Sequence, residues 1–271
     1  MMKSKASSYP YLIWMAIFII VPLAMIVFFA FTNSDGQFTL ENLAGLGKYT
    51  PILLRSLKLA AISTVICLII AYPIALILMH SKASSQKMML MLVMLPMWMN
   101  FLLRTYAWMT LLEKNGLINR FLGIFGIGPF EMINTQGAVV LGMVYNYLPF
   151  MILPLYSVMV KIDKSVIEAA QDLGSDSFHV FSKVIFPLSL PGVMSGITMV
   201  FVPAVSTFII SKMLGGGGNL LVGDLIELQF LGNAYNPNLG AAMSLVLMVI
   251  ILICMGIMNR FGDEESKGMM I

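Results

Sequence analysis

Six stretches of this chain are predominantly apolar over a length that could cross a bilayer, at about residues 11 to 31, 57 to 79, 88 to 112, 137 to 160, 188 to 210 and 241 to 258. A helix needs roughly 17 to 25 such residues to traverse the hydrocarbon layer. The pattern therefore predicts an all-α integral membrane protein with six transmembrane helices. One six-span domain covers 11–258, between short tails at 1–10 and 259–271. An even number of crossings puts both termini on the same side. Polar and Gly/Pro-rich segments at about 32–56, 113–136 and 211–240 separate the spans at one end. The last opens with Gly215, Gly216, Gly217 and Gly218 and continues through Asn219 to Leu228 with too many apolar residues for a solvated linker. It predicts a short helix near the membrane surface. Pro22, Pro73, Pro96, Pro149, Pro154 and Pro203 lie inside the predicted spans, where neighbours or cavity water must satisfy the carbonyls they free.

Composition agrees, with 59% hydrophobic and only 11% charged residues, against about a quarter charged in soluble domains. The cations give the orientation. Lys3, Lys5, Lys82, Lys87, Lys161, Lys164, Lys183, Arg260 and Lys267 fall at the end holding the termini; Lys48, Arg55, Lys58, Lys114, Arg120 and Lys212 fall at the other. The excess, carried by shorter loops, predicts cytoplasmic termini in a cell membrane. The first apolar stretch exceeds the usual signal-peptide core and no A-x-A site follows, so it reads as a retained span. The net charge of +3 is scattered over loop ends. Membrane lipid is the expected surrounding, and no nucleic acid is implied.

Among the loops on the cytoplasmic side, the fourth connecting segment is unusual. Ser165-Val166-Ile167-Glu168 has the serine and acid of a capping box. Val166, Ala169, Ala170 and Leu173 then share one helical face, and Gly174 suits a helix stop. A second short helix is expected through Phe178, Phe181 and Ile185 as far as Pro187 and Pro191. Alanine methyls let a foreign surface come close to the backbone, so this loop is shaped for docking.

Glu168-Ala169-Ala170, then Gly174, then Val184-Ile185-Phe186-Pro187, resembles the EAA signature of six-span ATP-binding-cassette importer permeases, with Val184 and Phe186 departing conservatively. Arg104-Thr105-Tyr106-Ala107-Trp108, Asn115 to Asn119, Leu148 to Tyr156, Asn219 to Gly223 and Gln229-Phe230-Leu231 extend the likeness over the whole chain to spermidine/putrescine permeases of that class. The resemblance implies the MetI-like permease fold and a coupling role for Glu168, Ala169, Ala170, Gly174 and Pro187. It implies as partners a PotA-like ATPase dimer, which would bind ATP and Mg, a PotC-like sister permease and a PotD-like polyamine-binding protein. The docking motif is shared with importers of other small solutes, such as iron or sulfate species, so the cargo stays open at this level, as does an ion-coupled secondary carrier.

Asp224 and Glu227, at i and i+3 on the short outer helix, could face an ammonium group or form a solvated pair. Trp98, Tyr106, Trp108, Tyr145 and Tyr147 could line a cation-π path or belong to the interfacial aromatic belt. Arg104 stands inside a span, close to its outer end, as a functional charge or as one that is structurally paired or snorkels outward. No Asp or Glu lies deep in a span, so energy coupling is expected from a partner. No G-x-x-x-x-G-K-[ST] occurs, so this chain is not expected to bind ATP or any other cofactor, nor to be an enzyme. With only His80 and His179, no H-E-x-x-H and no Cys cluster, neither zinc chemistry nor a base for Ser195 is expected. Cys67 and Cys254 read as packing residues.

Overall fold

The computed structural model describes residues 9–268, which leaves the expected N-terminal tail outside the described residues but for its last two. In chain order the helices are α1 (Tyr9–Met15), α2 (Val21–Ala30), α3 (Glu41–Ala44), α4 (Thr50–His80), α5 (Ala83–Trp98), α6 (Phe101–Leu112) and α7 (Leu117–Ile124). After these come α8 (Gln136–Met159), α9 (Lys164–Asp172), α10 (Ser177–Val180), α11 (Phe186–Ser206), α12 (Val222–Leu231) and α13 (Pro237–Gly268). A single bridge, Thr32 with Phe38, is the extent of β pairing among the described residues. The last helix runs to Gly268, beyond the expected end of the sixth span.

The core is a bundle of α4, α8 and α11. On α4 the buried face is a stripe of small residues, Ala60, Ser63, Thr64, Cys67, Ala71 and Ala75, at helical spacing. Small side chains matter in lipid because helices there associate by close packing rather than by escape from water. Ser63 Oγ donates to Met143 Sδ at 3.3 Å, and Cys67 Sγ to the Val144 carbonyl at 3.8 Å, which sets the register of α4 against α8. On α11, Gly192 and Gly196 form a G-x-x-x-G pair facing α8. A Cβ at Gly192 would stand 3.0 Å from Pro154 O and 3.2 Å from Leu155 Cα, and one at Gly196 2.5 Å from Met151 Sδ. Glycine at both places lets the two backbones approach.

The periphery is different. The helix from Pro10 to Ala30 has a largely exposed, apolar surface. It meets the rest through Ala30 packed on Ala241 and Ala242 of α13. Asn238 Nδ2 fastens the two helices at one end by donating to Phe29 O at 3.1 Å and Thr32 O at 2.7 Å.

Two departures from the expected spans have local causes. The third span is not continuous: α5 and the stretch Phe101–Ile124 bend by 88° at Met99–Asn100. Pro96 weakens the end of α5. Asn100 then caps a new helix, its side chain accepting from Leu102 N at 2.9 Å and Leu103 N at 3.4 Å. Among the described residues there are thus five helices long and apolar enough to cross, or six if the bent pair counts as one span. The second departure is at Pro187 and Pro191, which do not stop a helix. A π turn at Phe181–Ile185 joins α10 to α11, and the helix continues to Ser206 through both prolines. Pro187 follows that π turn, in the first turn of α11, and Pro191 lies inside the helix.

Candidate functional site

The fourth connecting segment folds as two short helices at the end of the bundle where α8 finishes and α11 begins. The cap of α9 is Asp163 rather than Ser165; its carboxylate accepts from Ser165 N at 3.0 Å, while Glu168 is exposed. At the other end, Gly174 takes φ +83°. Its N–H donates to Gln171 O at 2.9 Å, and Ser175 N–H donates to Ala170 O at 3.1 Å. These paired bonds form a Schellman stop that needs a left-handed residue. Asp176 caps α10, accepting from His179 N at 2.8 Å and lying 2.6 Å from His179 Nδ1. Amide donors hold Asp163 and Asp176 below the ordinary carboxylate range, in both cases chiefly the backbone bond at the cap.

The loop hides little of its apolar surface. Val166 is 45% exposed, Leu173 87% and Phe178 71%. Ala169 is exposed and Ala170 half-buried. This exposed apolar face is bounded by the cap at Asp163 and the stop at Gly174. Gly174→Ala meets no neighbour within 4 Å, so its cost is the left-handed backbone alone, about 1–2 kcal/mol. Faster amide exchange confined to residues 164–175 is the expected result.

The loop is joined to the core by an aromatic cluster. Tyr72 of α4 lies edge-on to Phe181 at 5.6 Å and tilted to Phe186 at 6.0 Å. Its hydroxyl is 2.8 Å from Ser189 Oγ, and both groups are buried. Since Ser189 already donates to Phe186 O at 2.8 Å, Tyr72 is the donor of that pair. Pro187 sits within this joint, in the first turn of α11.

At the opposite end, the glycine-rich segment is bolted down. Asn219 Nδ2 donates to Asn134 O at 2.8 Å and Gly215 O at 2.9 Å; Val222 N donates to Ser56 Oγ at 2.8 Å. The expected short helix is present as α12. Its two carboxylates do not form an open pair. Asp224 is buried and accepts from Leu221 N at 2.7 Å, closing its own helix start, while Glu227 is held by Lys212 Nζ at 2.8 and 3.0 Å. Burial pushes the Asp224 carboxyl above its ordinary value of 3.8, against the amide bond that lowers it. A raised folded-state pKa favours the folded form most below 3.8, and that advantage fades as pH rises through the folded value. Asp224→Asn should therefore remove the loss of thermal stability that the purified chain shows as pH rises from 3.8 through the folded-state value of Asp224.

The aromatic candidates divide. Trp108 and Tyr145 meet edge-on at 5.4 Å. Trp98 at the helix break and Tyr106 are 70% and 54% exposed. Tyr147 is buried, its hydroxyl donating to Pro203 O at 3.4 Å. Arg104 is 7% exposed, with Nε and Nη1 lacking an acceptor and the guanidinium lying by the Phe101 and Tyr145 rings. The buried G-x-x-x-G contact was readable from the sequence by its spacing, though nothing local says which helix it meets.

Residues 4–263 match the sequence profile of the family described as binding-protein-dependent transport system inner membrane component. The spermidine/putrescine transport system permease protein PotB of Haemophilus influenzae is 37% identical over 257 residues, covering 91% of this chain and 90% of that protein. PotB of Escherichia coli is 37% identical over 248 residues, covering 88% and 90%. Among solved structures, a bacterial alginate ABC transporter in complex with its pentasaccharide-bound periplasmic protein superposes with a TM-score of 0.83 at 16% identity, over 97% of this chain and 94% of that one. An inward-facing form of the MetNI methionine ABC transporter gives 0.60 at 18% identity, over 80% and 95%. With its bundle, its capped surface loop and a match over nearly its whole length, the chain belongs to the inner membrane components of binding-protein-dependent transport systems, the multi-pass permease subunits of ABC importers.

Proposed function

We propose that this chain is one half of the membrane pathway of a polyamine importer, moving spermidine or putrescine inward at the expense of ATP hydrolysed by a partner. The near full-length similarity to spermidine/putrescine permeases supports the cargo. The single observation that carries the coupling reading is the capped α9 helix with its exposed Val166, Ala169 and Leu173 face.

Residues 161–187 face the cytoplasm in this reading, as do both termini, in line with the distribution of Lys and Arg. A PotA-like ATPase dimer receives α9 in a surface cleft and itself holds ATP and Mg. A PotC-like sister permease completes the pathway, and a PotD-like protein delivers polyamine from outside. Glu168, Ala169, Ala170 and Gly174 act in docking and Pro187 in the joint behind it. Of the aromatic candidates, Trp98 and Tyr106 have open rings that alkyl-ammonium groups can meet, while Trp108 and Tyr145 pack on each other and Tyr147 is buried. Asp224 and Glu227 fix the outer helix that borders it.

Closure of the ATPase dimer would move α9, and the cluster of Tyr72, Phe181, Phe186 and Ser189 would carry that displacement into α4. The two membrane conformations alternate because the partners bind them with different affinity. The test is the complete transporter in proteoliposomes. Polyamine-loaded binding protein should stimulate ATP hydrolysis and drive spermidine or putrescine inward. Accumulation driven by an ion gradient without ATP would overturn the mechanism, and stimulation by an iron or sulfate species instead of polyamine would overturn the cargo.

A further inference from the structure

Arg104 is the least explained charge in the molecule. Its side chain belongs to the first turn of α6 and is buried, its guanidinium carbon 5.9 Å from the Phe101 ring and 6.0 Å from the Tyr145 ring. Nε and Nη1 have no acceptor. The elements packed against α6 are α7, the turn at Ser211–Gly215 and α8. None of them contains an Asp or Glu, and two of them contribute Arg120 and Lys212, of the same sign. A buried guanidinium keeps its charge. Left unpaired in a low-dielectric setting it is strongly unfavourable, so a counter-group from outside this chain is needed.

Its surroundings narrow the source. Beside Arg104, the same bent segment leaves Trp98, Leu103 and Tyr106 exposed at 70%, 66% and 54%. Aromatic residues bordering an arginine are the composition of a protein–protein interface core.

We propose that Arg104 is the anchor for an Asp or Glu carboxylate carried within the membrane by the sister permease, and that the helix break at Met99–Asn100 forms part of the contact between the two subunits. The proposal rests on the reading that this chain works beside a second permease. Its test is co-purification of the sister permease with this chain from membranes holding the complete transporter. Arg104→Gln should weaken the association by about thirtyfold or more, with Arg104→Lys intermediate. Arg104→Glu should abolish it, and one Asp or Glu to Arg change in a span of the sister should restore it.

Wild-type yield of the sister with Arg104→Gln would overturn the proposal. So would a failure of that variant to fold by itself in detergent, because the arginine would then be structural. Dissociation that follows removal of anionic lipid, and is insensitive to Arg104→Gln, would assign the contact to lipid and likewise overturn it. Failure of the wild-type chain to retain any sister permease would instead sink the two-subunit reading itself.

Discussion

Ala169→Asp is expected to reduce ATP-driven polyamine uptake by about two orders of magnitude while the chain inserts and folds as before. Ala169 is exposed on α9 and Ala170 only half-buried, so the folded chain has room for a larger group there. The penalty falls on docking. A carboxylate forced into a close-packed, desolvated contact without a partner costs about 2–5 kcal/mol, which corresponds to roughly thirty to several thousandfold in affinity. The measurement pairs uptake with ATP hydrolysis at equal membrane levels, using Ala169→Ser as the control of similar size. Uptake should collapse, and stimulation of hydrolysis by loaded binding protein should vanish with it. Undiminished uptake would mean that this face meets no partner.

Gly192→Leu should be the most damaging single change inside the bundle. Two of the three atoms nearest a Cβ there, Pro154 O and Leu155 Cα, are backbone, and the third is Val158 Cβ at 3.1 Å. Backbone of a packed helix cannot rotate aside as a flexible side chain does, so α8 and α11 must separate. Overpacking of this kind costs about 1–3 kcal/mol and at times more. Thermal unfolding in detergent should show a marked loss, whereas Gly256→Leu, with nothing within 4 Å of its Cβ, should be nearly silent. Equal melting of the two variants would remove the close α8–α11 approach from the account.

The all-helical membrane architecture was legible because block hydrophobicity depends on solvent, not on tertiary detail. The span at about 137–160 corresponds closely to α8. The break at Met99–Asn100 was not legible. Pro96 resembles Pro73, Pro149 and Pro154, which helices here absorb, and only the cap formed by Asn100 turns a tolerated proline into a corner. The start of α9 was a competition between Asp163 and Ser165, both good caps; the turn leaving α8 decides it. Asp224 and Glu227 share a helix face as their spacing requires, yet their fates differ. The segment carrying Asp224 is drawn inward by Ser56 holding the Val222 amide, a contact 166 residues apart in sequence. No local pattern encodes such a partner. The same limit applies to Arg104, whose helix was visible but not which way it would turn.

The corner at Met99–Asn100 also constrains what can surround it. Acyl chains offer no hydrogen bonds to a backbone that leaves its helix, so such a corner persists only where protein or water covers it. The flank carrying Trp98 and Met99 therefore calls for a cover of protein or water, whereas the long greasy rod from Pro10 to Ala30 keeps its backbone bonds internal and needs none.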